Sequence, residues 1–179
     1  MSILFRFIWV IVAAYFKPAL KFGDISVLPQ RVWPIDLDIN MHMNNARYLS
    51  VMDLGRTDWI VRSGAWRLMR RDKMAPVVGG CLVRYRRSLR PFETYLLKTR
   101  LLGWDERWIY VEQIMQGRDG IACLAVQRTA FVQAGKIIPV AEWAAKIGYD
   151  GPQVPVPDWV AAWSDSERTF VEQSEQFAW

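Results

Sequence analysis

Polar and apolar residues alternate one for one from Asp36 to Asn44. Asp36, Asp38, Asn40, His42 and Asn44 are polar, and Leu37, Ile39, Met41 and Met43 fill the gaps. A period of two predicts an extended segment with one apolar and one polar face. The period then changes. From Asn45 to about Arg62 the pattern is helical, with Tyr48, Met52, Trp59 and Ile60 on one face, Leu49 and Leu54 at its flanks, and Gly64 ending the run. Asn44 or Asn45 suits the N-cap. Trp66 to Arg71 predicts one short further turn of helix. Strands are predicted over roughly Val27–Trp33, Ala75–Tyr85, Thr94–Trp104, Arg107–Met115 and Ile121–Ala134. In the third of these, Tyr95, Leu97, Thr99 and Leu101 share one face. Tight turns at Asp105-Glu106 and Arg118-Asp119-Gly120 imply an antiparallel meander. The class is therefore α+β: one strand, one long helix, then antiparallel strands that must cover it.

The two ends read differently. Met1 to Phe16 is apolar except for Ser2 and Arg6, and Lys17 follows it. The unbroken run from Phe7 to Phe16 is shorter than the roughly 20 residues that cross a bilayer. No small-residue cleavage site follows, which speaks against a signal peptide. Two readings stay open for this segment. It lies in a membrane interface, or it folds back over apolar surface of its own domain or of a partner subunit. At the other end, Glu142–Ile147 predicts a short helix and residues 151–157 an extended Pro-rich linker. Asp158 is placed to cap a last helix with Trp159, Val160, Trp163 and Phe170 on its apolar side. The expected division is 1–22 as an apolar N-terminal segment, 23–148 as the main domain, and 149–179 as linker and C-terminal helix.

Composition narrows the classes. The chain has 179 residues, 52% of them hydrophobic and ten of them Trp, enough for one well-filled core and incompatible with disorder. The formal net charge is +5, which suits an anionic partner such as a phosphorylated cofactor or a membrane surface. No zinc spacing or helix-turn-helix pattern points to nucleic acid. Cys81 and Cys123 sit in strand-like apolar runs and read as buried thiols. With one His and two Cys, no metal set is expected. Asp36-x-Asp38-x-Asn40 starts like a calcium loop, but Met41 stands where the turn needs Gly and Arg47 where the bidentate Glu belongs.

Asp38-x-Asn40-x-His42-x-Asn44-Asn45-x-x-Tyr48 resembles the active-site loop of hotdog-fold thioesterases, including the plant acyl-ACP and 4-hydroxybenzoyl-CoA groups. Similar ordered stretches are Met52-Asp-Leu-Gly-Arg56, Tyr85-Arg-Arg-Ser-Leu-Arg-Pro-Phe92 and Thr99-Arg-Leu-Leu-Gly-Trp-Asp105. The resemblance spans about Arg31 to Val132. It implies a hotdog fold of about five or six strands wrapped around one central helix, hydrolysis of fatty or aryl acyl-CoA, no cofactor, and a homodimer or homotetramer. It also implies site roles. Asp38 acts as general base on water or as nucleophile, with Asn40 orienting water or the thioester oxygen and His42 holding Asp38 or sharing its role. Backbone N–H groups near Asn44 and Asn45 hold the oxyanion.

Asn44, Asn45, Tyr48 and Arg86 are the candidate substrate contacts, Arg86 within a basic strip of Arg84, Arg86, Arg87 and Arg90 that can face coenzyme A phosphates. Each has a simpler reading. Asx-rich loops cap helices, Tyr48 suits a core or pocket wall, Asp36 a loop-stabilising group, and the arginines a solvated strand face. Asp53 pairs with Arg56 across one helical turn and is the fallback base. A non-catalytic acyl-chain or lipid binder on the same fold is the competing function. An enoyl-CoA hydratase is disfavoured, because its Asp-to-His interval is one residue longer. The expected location is cytoplasmic, with membrane contact through Met1–Phe16 as an alternative.

Overall fold

Asn44, in extended backbone, turns its side-chain oxygen onto the Ala46 N–H at 2.9 Å and starts helix α2, Asn45–Arg62. That bond satisfies one of the free donors at the helix start. Gly64, at φ 81°, ends the run, because only a residue tolerant of that backbone lets the chain turn away. Helix α3, Ala65–Asp72, follows at once. The structure, a computed structural model, describes residues 2–175; Met1 and 176–179, parts of the two terminal segments named above, lie outside them.

The strands are β1 (Ser26–Arg31), β2 (Met74–Tyr85), β3 (Thr94–Trp104), β4 (Ile109–Gly117), β5 (Gly120–Gln133) and a short β6 (Lys136–Ile138) that the sequence pattern did not indicate. They form one antiparallel six-stranded sheet in the order β1-β3-β4-β5-β2, with β6 beside the end of β5. The meander is thus confined to β3, β4 and β5. Strand β2 lies on the far side of β5, with the eight residues 86–93 carrying the chain back to β3. This is the hotdog arrangement, a curled sheet around α2.

The inner face of β3 carries the buried Tyr95, Leu97 and Thr99. Against them, and against β4, lies the sheet-facing side of α2, with Tyr48, Val51, Met52, Leu54, Gly55, Asp58 and Trp59 buried. Leu49, placed by periodicity at the flank of this face, is exposed. The closest approach is at Gly55. A methyl group there would lie 2.5 Å from Thr99 Oγ1, 2.8 Å from Leu97 Cδ2 and 2.9 Å from Gln113 Nε2. The fully buried Gln113 amide ties the two layers, donating to the Met52 carbonyl at 2.8 Å and to Thr99 Oγ1 at 3.0 Å. Around the far end of α2, Trp59 joins a second apolar cluster with Phe131 and Trp143, whose rings stack at 4.5 Å. Trp143 belongs to α4, Val140–Lys146.

Helix α1, Ile3–Tyr15, folds back across α2 with Arg6, Val10 and Ala14 buried. Just beyond it, Lys17 meets the fully buried Asp58 at 2.9 Å, and Asp58 also accepts from Ser26 at 2.6 Å and Arg62 at 3.0 Å. Burial alone would raise the Asp58 pKa, but these three donors outweigh it and hold the group below its ordinary value.

Helix α5, Asp158–Glu175, covers the outer face of the sheet. Val160 is buried there against Tyr110 and Val126, with Trp163 beside them, but Trp159 and Phe170, expected on the same apolar side, are exposed. Further along this face Arg128 is paired with Glu167 at 2.5 Å and lies over the rings of Trp108 and Trp163. This crowding explains the Gly79-Gly80 pair. A methyl on Gly79 would meet the Trp108 ring, and one on Gly80 would lie 2.6 Å from Glu167 Oε2.

Gly55→Ala is expected to lower unfolding stability by about 1–3 kcal/mol, the cost of forcing extra volume into a filled contact. Urea unfolding followed by Trp fluorescence checks this; an unchanged midpoint would mean the layers can separate freely.

Candidate active site

The Asp36–Asn44 stretch is not the extended row its alternation predicts. Pro34–Asp36 forms one 3-10 turn, and Leu37 then pairs with Met43 across a tight turn. Asp38 N–H donates to the His42 carbonyl at 2.8 Å, and Met41 N–H to the Asp38 carbonyl at 3.1 Å, with Met41 at φ 58°. Asp and Asn side chains offer the backbone local partners, which favours turns over strand pairing. As a result only Leu37 and Met43 of the apolar set are covered. Ile39 is 97% exposed and Met41 60%.

Asp38 sits inside this turn, half-buried. Its Oδ1 accepts the N–H of Asn40 at 2.9 Å and that of His42 at 3.2 Å. Its Oδ2 and the His42 imidazole make no hydrogen bond among the described residues. The Asn40 side chain is exposed. The turn therefore brings the backbones of Asp38, Asn40 and His42 together, with one carboxylate oxygen committed and the other open.

The start of α2 closes the turn. Asn44 N–H donates to the Asp36 carbonyl at 2.8 Å, Ala46 N–H to Asn44 Oδ1 at 2.9 Å, and Arg47 N–H to the Asn44 carbonyl at 2.8 Å. Only the Asn45 N–H lacks a partner in this first turn among the described residues. It is the donor left over for an anion, at the positive end of the helix dipole. Tyr48, by contrast, is buried, and its hydroxyl accepts the Leu89 N–H at 3.2 Å. Burial raises its pKa despite that bond. Tyr85 was not visible as a site residue. Its hydroxyl donates to the Asn45 carbonyl at 3.1 Å and its ring meets Tyr48 edge-on at 5.2 Å. Nothing local in the sequence marks it, since the contact joins residues forty apart.

Of the basic strip, Arg87 is held by Glu93 at 2.6 Å, whereas Arg84, Arg86 and Arg90 are exposed. Burial pushes the Cys81 thiol up and that of Cys123 to about 12, so neither presents a thiolate at neutral pH.

The best-formed apolar cavity lies elsewhere, along the flank of α2. It measures about 320 Å³ and is walled by Trp59, Ile60, Val111, Phe131 and Trp143, with Pro76 and Val78 of β2 and polar groups of Asp53, Arg56 and Thr99. The size falls within the range of small-ligand sites. Asp38, Asn40 and His42 do not line it. The Asp53–Arg56 pair is present as the spacing suggested, and Arg56 also donates to Gln127 and, at 3.3 Å, to Gln113. Burial draws the guanidinium down to about 10, still cationic at neutral pH.

A family model described as the thioesterase-like superfamily matches residues 32–164. Protein THEM6 from Danio rerio is 31% identical over 175 residues, covering 94% of this chain and 86% of that protein. Protein THEM6 from Xenopus laevis is 49% identical over 82 residues, 46% of this chain; the match spans only 40% of that protein's length. Among solved structures, the probable thioesterase YbaW from Escherichia coli superposes with a TM-score of 0.64 at 21% identity, over 72% of this chain and 98% of that one. A DHNA-CoA thioesterase from Staphylococcus aureus superposes with a TM-score of 0.60 at 17% identity, over 83% and 95%. At these identities the two structures speak for the fold alone.

Proposed function

The chain belongs to the thioesterase-like superfamily, and we propose from it an acyl-CoA thioesterase that hydrolyses fatty or aryl thioesters with Asp38 as the assisting carboxylate. The observation that carries this reading is an open Asp38 oxygen in the turn that leads into α2, whose first N–H, that of Asn45, is unspent among the described residues. The open oxygen takes a proton from water as the water oxygen bonds to the thioester carbon. The carbonyl oxygen becomes an oxyanion and rests on the Asn45 N–H, where the helix end favours negative charge. Collapse breaks the carbon–sulfur bond, and the thiolate leaves with the proton returned from Asp38 or solvent. The products are a free acid and a thiol. His42 holds the water from the other side, and Asn40 steadies the thioester oxygen. Asn44 serves as cap. Arg86, exposed beyond Tyr85, is free to meet a phosphate, with the exposed Arg84 and Arg90 in the same strip.

The cavity enters through a second copy of the chain. Strand β2 is a sheet edge, and its backbone and side chains from Ala75 to Gly79 are exposed, including Val77 and Val78. A long open edge favours pairing with another strand. Antiparallel pairing of β2 with its own copy about the middle of the strand sets Val78 opposite the partner's Leu82, and Ala75, next to Pro76, opposite the partner's Tyr85. Tyr85 touches Asn45, so the partner's loop arrives at the cavity mouth. Reaction centre and acyl pocket then come from different subunits of a homodimer. Asp53 supports a second reading, because it lines the cavity directly.

Thiol release from a panel of acyl-CoA esters tests the reading. Asp38→Asn is expected to reduce kcat by at least 100-fold with the fold intact by circular dichroism. Loss in Asp53→Asn alone would transfer the role to Asp53. No release from any ester, together with acyl-chain binding, would make this a binder. The dimer has a separate check. The double variant Val77→Glu, Leu82→Glu is expected to sediment as a monomer with at least tenfold lower kcat/KM, whereas a wild-type monomer would reject the composite site.

Helix α1 supports contact with a lipid surface. Leu4, Phe5, Ile8, Trp9 and Val12 stay exposed on its outer side and Phe16 just past its end, a patch of large apolar side chains open to the surface. Thirteen residues make a helix about 20 Å long, and no helix among the described residues is long and apolar enough to cross a membrane. The helix would lie flat in the interface, with the net positive charge drawing anionic headgroups. Trp9→Glu with Ile8→Glu is expected to abolish co-sedimentation with anionic vesicles without changing turnover of a water-soluble ester. Unchanged co-sedimentation would reject this contact.

A further inference from the structure

Arg6 stands in a segment whose other residues suit a greasy surface, yet it is 2% exposed and points into the domain. Its Nη1 lies 3.0 Å from Asp36 Oδ2 and 3.3 Å from Oδ1, and its Nη2 donates to Gln30 Oε1 at 2.7 Å. Asp36 is equally buried. Burying such a pair gains little stability over apolar residues, but removing one partner leaves a charge stranded. Its value lies in what it orients. The Asp36 carboxylate also accepts the Trp33 N–H at 3.0 Å, and the Asp36 carbonyl accepts the Asn44 N–H at 2.8 Å. Asp36, two residues before Asp38, therefore ties Trp33 on one side of the turn to Asn44, the residue before Asn45, on the other.

We propose that Arg6 is a positioning residue for the reaction: by fixing Asp36 through a buried ion pair in which one guanidinium nitrogen spans both carboxylate oxygens, helix α1 sets the turn that aims the Asp38 carboxylate and the Asn45 N–H at the thioester. The proposal rests on the Asp38 reading above. It makes α1 part of the catalytic apparatus rather than a detachable tether. Ile3 and Phe7 pack against the same apolar cluster as Met43 and Tyr48, so the seat of Arg6 is defined by shape as well as by charge. Arg6 supplies the only cation within hydrogen-bonding distance of Asp36 among the described residues. A shift of α1 along α2 would leave the turn without its clamp. Distances at catalytic groups tolerate little error, since misplacement by an ångström costs on the order of 100-fold in rate.

Two measurements on the full-length chain separate this from a general role in stability. Amide hydrogen exchange at Asn40, His42 and Asn44 reads the turn without any substrate. In Arg6→Met these amides are expected to exchange at least tenfold faster, while Met52 and Leu54 in the middle of α2 keep their protection. Unchanged protection of the turn in a folded Arg6→Met would overturn the proposal, as would equal loss throughout α2. If Arg6→Met does not fold, Asp36→Asn and Arg6→Lys, which keep neutral or cationic partners in place, are read the same way.

With an acyl-CoA ester that the wild type hydrolyses, Arg6→Met is expected to lower kcat by ten- to 100-fold with KM within twofold, and Arg6→Lys to recover part of the loss. A rise in KM at constant kcat would also overturn the proposal. Should the wild type release no thiol, the Asp38 reading fails, and the exchange data alone decide whether Arg6 sets the turn.

Discussion

Helix α2 and the sheet approach so closely at Gly55 that no side chain fits between them. The Gln113 amide bridges the gap, bonding Met52 on one layer and Thr99 on the other. An interior amide of this kind has to be satisfied, so the two layers are fixed in register as well as in distance. Everything with chemical meaning is then arranged relative to one helix. Its N-terminus holds the Asp38 turn, its flank opens on the apolar cavity, and α1 packs across it, reaching β1 through Arg6 and Gln30.

Under the proposed reading, that arrangement divides the reaction into parts with different physical demands. The turn is short, polar and held by backbone hydrogen bonds, which suits groups that must not wander. The cavity is apolar and bounded by Trp59, Phe131 and Trp143, which suits a hydrocarbon or aromatic acyl group. Between them stands the open edge of β2. In the proposed reading a single chain holds the turn and the cavity apart, and edge pairing of β2 would join them.

The N-terminal segment shows how one helix can satisfy two environments. Its inner side carries Arg6, Val10 and Ala14 into the domain, and its outer side leaves Trp9 and Ile8 uncovered. Folding back and resting on a lipid surface were opposed readings of the sequence, yet opposite faces of a helix allow both. The buried Arg6 explains why the apolar run is broken where it is. The break is a buried ion pair, and a run of pure hydrocarbon would have had no grip on Asp36.

Local pattern was enough for the elements themselves. The span of α2, its Asn44 cap, its Gly64 stop and the bounds of β3 were legible, because period and capping act over a few residues. So were the Asp53–Arg56 pair, one helical turn apart, and the hotdog class, which the resemblance carried. The path of β2 to the far edge was not legible, because the eight residues before β3 permit either neighbour. Nor was the turn at Asp38, where alternation reads as strand but Asx side chains close the backbone on itself. The exposure of Trp159 and Phe170, the contact of Tyr85 with Asn45, and the partner of Arg6 all depend on what another element brings near. Sequence by itself determined most of the helices and the long strands, though not β6 or the Asp38 turn, and which residues carry reactive groups. Only the tertiary structure decided which of those groups face each other, since burial, charge pairing and edge exposure arise between segments that the chain keeps far apart.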